Sequence, residues 1–172
     1  NITTPTTWGL TGSPYMLNGT MYVASAVSLT IEAGVEVVGG TLKVCGSLVV
    51  RGTAAQHALL RDVVIVPCGL SASQPHLIDL EFARLQGGSL YYATGDASYG
   101  SLIVRDSELS GLTDYMYIWY PTSTSVIERS ILDGVQLSIG TDGGGAVEIR
   151  NNLFKGSHAY VEVWAAYSKP VL

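Results

Sequence analysis

Apolar and polar residues alternate with a period of two in short stretches along most of the chain, whereas helical spacing is nearly absent. Each stretch ends within a few residues at Gly, Ser, Asn or Asp. Side chains of a strand point alternately to opposite faces, so this pattern predicts many short β-strands. Residues 54–60 form the one stretch in which we expect a turn or two of helix.

The predicted strands repeat every 22 to 24 residues. Apolar residues recur two, seven and nine positions before each glycine of the set Gly87, Gly111, Gly134 and Gly156, with one exception in twelve. A small or polar residue recurs four positions before each glycine, as a tight corner requires. A repeat of this length predicts a solenoid, in which each repeat forms one coil.

Charges of alternating sign occupy one column of the repeat, six positions before each glycine: Glu81, Arg105, Glu128 and Arg150. In parallel strands about 4.8 Å apart, each of these charges would lie beside an opposite one. The same alignment places Arg84 beside Glu108 and Asp133 beside Lys155. We expect these ladders to fix the strand register, because a slip of one residue would separate every pair.

Cys45 and Cys68 are 23 residues apart, which is one repeat. Aligned residues of adjacent coils lie at a separation that a disulfide can bridge. Three alternatives remain at this stage: a disulfide between coils, a pair of buried thiols, or a disulfide between subunits. A disulfide would indicate an oxidising compartment.

The predicted fold is therefore an all-β, single-domain parallel β-helix of about six to seven coils. Residues 21–172 form the β-helix, and residues 1–20, rich in Thr, Pro and Gly, form an N-terminal cap. A doubly wound α/β fold would need helices between the strands. A β-sandwich would not need matching columns at a fixed period.

Three segments, LIVRDSELSG, VIERSILDG and VEIRNNLFKG, resemble the right-handed parallel β-helix repeat of secreted and surface proteins. Residues 13–53 are similar to the entry segment of extracellular β-helices, in which LTIEAGV opens the first full coil. The resemblance implies a right-handed solenoid that is secreted or exposed at the cell surface. It implies no particular activity, since this fold carries many functions, including those of polysaccharide lyases and hydrolases.

Charged residues make up only 13% of the chain, and nine Lys and Arg stand against fourteen Asp and Glu. This composition provides no basic surface, so we expect no nucleic-acid partner. The longest apolar run, residues 63–70, is too short to span a bilayer, and we expect no membrane insertion. The sequons at Asn1 and Asn18 are candidates for glycosylation.

We find no motif for a catalytic site, a metal or a cofactor in the sequence. His57, His76 and His158 share no metal-like spacing, and Gly143–Gly145 lacks the lysine of a phosphate-binding loop. Most candidate carboxylates have a basic ladder neighbour, Asp106 beside Arg129 among them, and an ion pair works against a general acid. We therefore expect a protein that is not an enzyme, with a polysaccharide lyase-like or hydrolase-like β-helix as the second alternative.

Aromatic residues lie at similar places in three repeats, the first with Tyr91 and Tyr92. The candidate contact surface is formed by the other two: Tyr115, Tyr117, Trp119, Tyr160 and Trp164. Alternation places Tyr115, Tyr117 and Trp119 on one face of a strand, with Met116, Ile118 and Tyr120 on the other. The strand face that carries Tyr115, Tyr117 and Trp119 has three interpretations. Its rings could cover the core, contact another subunit or stack on sugars.

The last predicted strand, which includes Val161 and Val163, is apolar, and no amphipathic helix follows it to cover the coil. We expect this strand to pair with a first coil near residues 23–38 of another copy, in an open fibre. The preferred function is a self-associating structural protein of the cell surface, as a filament, sheath, layer or stalk next to other surface domains. The alternative is a glycan-binding adhesin domain.

Overall fold

The computed structural model describes residues 1–68, 71–91, 99–140, 143–156 and 160–163. The described chain is a single-domain parallel β-solenoid with one short 3-10 helix, Leu10–Gly12. The predicted fold class is thus confirmed. The helical turn expected in residues 54–60 is wrong, because Ala58–Arg61 is a strand.

The strands, numbered in chain order, lie on three sheets. Sheet 1 contains β1 (Thr6–Trp8), β4 (Ser28–Glu32), β7 (Ser47–Arg51), β10 (His76–Glu81), β13 (Tyr99–Arg105), β16 (Tyr120–Pro121), β17 (Ser125–Glu128) and β20 (Val147–Arg150). Sheet 2 contains β2 (Tyr15–Met16), β5 (Glu36–Val38), β8 (Ala58–Arg61), β11 (Ala83–Gln86), β14 (Glu108–Ser110), β18 (Ile131–Asp133) and β21 (Leu153–Lys155).

Sheet 3 has two parts. The first contains β3 (Thr20–Val23), β6 (Thr41–Val44), β9 (Val64–Pro67) and β12 (Ser89–Leu90). The second contains β15 (Met116–Ile118), β19 (Gln136–Ile139) and β22 (Tyr160–Val163). A backbone hydrogen bond from Tyr117 N–H to Tyr91 O, 3.2 Å long, joins the two parts.

Each coil stacks its apolar residues on those of the coil before. In sheet 1, Leu29 lies opposite Leu48, Leu48 opposite Ile78, and Ile78 opposite Leu102, and all four are fully buried. Burial of one such side chain stabilises the fold by about 1.5–3 kcal/mol before chain entropy is subtracted. The core is therefore a set of continuous apolar columns along the solenoid axis.

The corner between sheets 1 and 2 is built from a repeated left-handed residue. Four successive coils place a residue with φ between 48° and 57° there: Phe82, Asp106, Arg129 and Asn151. A single residue in the left-handed region bends the backbone sharply out of its extended course. The chain can therefore pass directly from one sheet into the next.

The residue after each of these is the predicted small or polar column, and its side chains connect the coils. Ser107 Oγ accepts the N–H of Ala83 at 3.0 Å, and Ser130 Oγ accepts that of Ser107 at 3.2 Å. Asn152 Oδ1 accepts the N–H of Ser130 at 2.9 Å. These bonds satisfy backbone donors that the turn removes from the sheet ladders.

The first coil begins earlier than the sequence indicated. Strand β1 pairs with β4, and β2 pairs with β5, so both strands lie within the predicted cap and form part of the solenoid. The prediction that residues 23–38 provide the free first edge is wrong, because β4 and β5 have a partner on each side. Among the described residues, the free edges at this end belong to β1 and β2, while Ile2 bridges Val23 of β3.

Candidate functional site

A disulfide joins Cys45 and Cys68 on consecutive coils, directly after the paired residues Val44 and Pro67. Their Cα atoms are 4.5 Å apart, within the range that such a bond needs. The disulfide between coils is confirmed, and the alternatives of free thiols and of a bond between subunits are not what the structure contains. Disulfides persist in oxidising compartments, so this bond is consistent with an extracellular protein.

The described residues contain neither a metal-binding cluster nor a membrane-spanning helix. No group of three or more His, Cys, Asp or Glu side chains in this part of the chain is placed to hold a metal ion. No helix among the same residues is long and apolar enough to cross a bilayer.

The charge column of sheet 1 follows the expected register and extends further than the sequence indicated. Arg105 Nε lies 3.0 Å from Glu128 Oε1, and Arg150 Nε lies 2.7 Å from Glu128 Oε2. Glu81 is opposite Arg105 in the register, and its shortest ion pair is with Arg51, at 3.7 Å. Glu32 lies opposite Arg51 in the register and belongs to the same column. The signs of the charges therefore alternate over six coils: Glu32, Arg51, Glu81, Arg105, Glu128 and Arg150.

The carboxylate of Glu128 is the centre of this network. Besides its two ladder partners it contacts Arg129 at 2.9 Å, and its side chain is only 8% exposed. Hydrogen bonds, the strongest from Arg150, hold the pKa of Glu128 below its usual range. Such a carboxylate stays ionised at neutral pH and cannot serve as a general acid.

Asp106 forms a two-pronged pair with Arg129, with both N–O distances 2.8 Å. These hydrogen bonds lower the pKa of Asp106, more strongly than burial raises it. Glu148, another acid of this region, pairs with Arg150 at 3.2 Å. These acids are therefore engaged in structural pairs.

Two ion pairs on sheet 2 also follow the expected register. Arg84 Nε is 3.3 Å from Glu108 Oε2, and Lys155 Nζ is 3.2 Å from Asp133 Oδ2. All four side chains are about a third to a half exposed, so each pair contributes at most about 1 kcal/mol. We infer that these pairs fix the strand register more than they stabilise the fold.

The aromatic residues lie on the outer surface of the second part of sheet 3. Met116 and Ile118 are fully buried, so Tyr115, Tyr117 and Trp119 point outwards, as alternation requires. Tyr120 leaves this strand pattern and belongs to β16, where its ring centre lies 5.3 Å from that of Tyr99. Trp164 and His158 lie outside the described residues.

The outward rings contact one another across the sheet. Ring centres are 5.7 Å apart for Tyr115 and Tyr117, 5.9 Å for Tyr117 and Trp119, and 6.3 Å for Tyr115 and Tyr160. The last two contacts are edge to face, a favoured geometry for aromatic pairs. We call these four residues, Tyr115, Tyr117, Trp119 and Tyr160, the aromatic face.

Hydrogen bonds connect Trp119 of the aromatic face with the neighbouring strands β19 and β22. Trp119 Nε1 donates a hydrogen bond to Ser138 Oγ at 3.1 Å, and Ser138 Oγ donates to Glu162 Oε2 at 3.3 Å. The negative charge of Glu162 raises the pKa of Tyr160. This connection through Ser138 was not evident in the sequence, because it depends on stacking β19 between β15 and β22.

The coil that contains β22 has a less protected core than the coils before it. Val161 and Val163 are 37% and 36% exposed, whereas their ladder partners Leu137 and Ile139 are buried. Within the described residues, β20, β21 and β22 each pair on one side only. Inward-facing apolar side chains are therefore accessible at this end.

A cleft of about 420 Å³ lies on sheet 2 and was not found in the sequence. Its polar lining consists of Glu36, His57, Arg84 and Gln86. Two of these already have ion-pair partners, since Glu36 contacts Arg61 and Arg84 contacts Glu108. The sequon residues Asn1 and Asn18 are exposed.

The described surface thus offers three candidate sites: the aromatic face, the exposed apolar end at β22, and the cleft on sheet 2. Searches of family models, of curated proteins and of solved structures each found no match to this chain.

Proposed function

We propose that this protein is a structural, self-associating component of an extracellular or cell-surface assembly, in which copies stack end to end. The coil of β20–β22 would provide one contact, and the first coil of the next copy would provide the other. The disulfide supports an extracellular location.

The observation that carries the proposal is the exposure of core residues at β22. Val161 and Val163 lie in the same columns as Leu137 and Ile139 but keep over a third of their surface accessible. A further coil placed on β22 would bury them and would pair the free backbone groups of the edge.

The first coil offers a matching edge. Strands β1 and β2 have no partner on their outer side within the described residues. Trp8 and Tyr15 stack beside this edge with ring centres 4.6 Å apart, Trp8 buried and Tyr15 half-buried. One end of the molecule joined to the other gives a head-to-tail contact, which produces an open fibre.

The solenoid between these ends has a fixed coil register, which suits a structural role. The charge column and the disulfide fix the register of adjacent coils. The acids Asp106, Glu128 and Glu148 are held in ion pairs. This supports a structural role in preference to catalysis.

Electron microscopy and sedimentation velocity of the purified chain at micromolar concentration test the proposal. We expect fibres with an axial repeat of roughly 34 Å, the height of seven coils at about 4.8 Å each. Thr7→Lys, an exposed change on β1, and Val161→Lys should each abolish fibres, since a lysine blunts a strand edge.

Val49→Lys is the matched control, because Val49 is half-buried and its strand, β7, has a partner strand on each side. Circular dichroism verifies that each variant is folded. A wild-type chain that stays monomeric at all concentrations would overturn the proposal in favour of a stalk segment. If both end variants still form fibres but Val49→Lys does not, copies assemble side by side, and this result would also overturn the proposal.

A further inference from the structure

The aromatic face is an array of rings on a rigid support. Its outward positions form three short rows: Tyr115, Tyr117 and Trp119 on the first strand, Gln136, Ser138 and Gly140 on the second, and Tyr160 and Glu162 on the third. Trp119 is 36% exposed and Tyr160 47% exposed, while Tyr115 and Tyr117 are half-buried. The rings therefore cover the small residues of the middle row and remain accessible.

The positions of these rings are fixed before any ligand binds. The hydrogen bond from Trp119 to Ser138 holds the indole, and Ser138 is in turn bonded to Glu162. The ring contacts between Tyr115, Tyr117 and Tyr160 restrict the other side chains. A preordered surface loses little side-chain entropy when it binds a partner.

The chemistry of the face favours an uncharged, amphipathic ligand. Glu162 is the only charged residue among its described outward positions, so an anionic polysaccharide or a nucleic acid finds no cation there. Tyrosine and tryptophan present an apolar ring together with a polar edge. A pyranose with equatorial hydroxyls has the complementary form, because its ring face is apolar and its rim is polar.

The size of the face argues against a second copy of the chain as occupant. It spans two strand spacings and about four residues along the strand, roughly 10 by 13 Å. A stable protein interface buries about 800 Å² on each partner, several times this footprint. A short oligosaccharide fits it.

We propose that the aromatic face binds neutral β-linked glycans of glucose or N-acetylglucosamine. A sugar ring stacks on the exposed indole of Trp119, and Glu162 accepts hydrogen bonds from sugar hydroxyls. This inference does not rest on the proposed end-to-end assembly, because Tyr160 and Glu162 lie on β22 but alternate with Val161 and Val163 and point outwards.

Isothermal titration calorimetry with cellohexaose and with chitohexaose, each up to millimolar concentration, tests the inference. We expect binding of at least one of them, weakened at least tenfold by Trp119→Ala and retained by Trp119→Tyr. Tyr22→Ala is the control, since Tyr22 is an exposed tyrosine on the first part of sheet 3, beside Lys43. A hexamer of galacturonic acid should bind at least tenfold more weakly, because its carboxylates meet Glu162.

Circular dichroism and thermal melting establish that each variant is folded before the titrations are compared. No heat with either neutral hexamer would refute the proposal. Equal losses in Trp119→Ala and Tyr22→Ala would also refute it, since binding would then not depend on this face. A change in sedimentation of Trp119→Ala without any glycan binding would reassign the face to contact between copies.

Discussion

His76 Nε2 lies 2.6 Å from Tyr91 Oη inside the solenoid, and both side chains are almost completely buried. Their hydrogen bond joins the start of β10 to the end of β12 within one coil. Burial lowers the pKa of His76 to about 4. Burial also raises the pKa of Tyr91, so both groups are neutral at pH 7.

This pair predicts a loss of stability in mild acid. The unfolded chain protonates His76 near pH 6.5, while the folded chain resists protonation down to about pH 4. The free energy of unfolding therefore falls as pH decreases through this window, by about 3 kcal/mol in total. Urea denaturation between pH 7 and pH 5 measures the slope above the range where carboxylates titrate.

His76→Gln should remove that slope, and His57→Gln should leave it unchanged, since His57 lines the external cleft. Identical slopes in all three proteins would show that His76 does not titrate between the folded and unfolded states as described.

Removal of the disulfide should destabilise the fold without changing it. Cys45 and Cys68 close a loop of 23 residues, for which the loss of loop entropy in the unfolded chain is worth about 3 kcal/mol. The free energy of unfolding of the double variant Cys45→Ser and Cys68→Ser should therefore be lower by that amount, as measured by guanidinium denaturation. Reductant should lower the free energy of unfolding of the wild type by the same amount and leave that of the double variant unchanged. A decrease in the double variant would contradict the assignment.

Glu128→Gln should destabilise the protein more than Glu108→Gln does. The Glu128 carboxylate contacts three guanidinium groups, whereas Glu108 has one half-exposed partner. Because its pKa is lowered in the folded state, the contribution of Glu128 is present at neutral pH and is lost as pH falls below about 4.5. Thermal melting at pH 7 and pH 3 compares the variants, and equal melting temperatures at pH 7 would contradict the prediction.

Two glycine substitutions separate backbone strain from steric overlap. Gly134 has φ of 69°, and a Cβ added there would meet only open space, so Gly134→Ala should cost about 1 kcal/mol from strain alone. Gly88 has φ of 67°, and a Cβ there would overlap the carbonyl oxygen of Val63. Chemical denaturation should therefore show a clearly larger loss for Gly88→Ala; equal losses would mean that the backbone around Val63 relaxes freely.

The columns after residue 76 could be read directly from the sequence because every coil there has nearly the same length. The predicted partners of Arg105, Glu128 and Arg150 follow from that constant spacing. Glu32 and Arg51 belong to the same column but were missed, since Arg51 and Glu81 are 30 residues apart and the repeat is interrupted between them. Stacking, and not sequence distance, decides which residues are neighbours.

The sequence by itself predicted the parallel solenoid, gave the pairing of Cys45 with Cys68 as one of three alternatives, and placed Tyr117 and Trp119 on the same face of a strand. All of these depend on a period of two along a strand or on one coil length, and both periods are local properties of the chain. The start of the solenoid at Thr6, the bond between His76 and Tyr91, and the connection from Trp119 to Glu162 were decided only by the tertiary structure. They depend on which side chains different coils bring within hydrogen-bond distance, and no regular spacing in the sequence encodes that proximity.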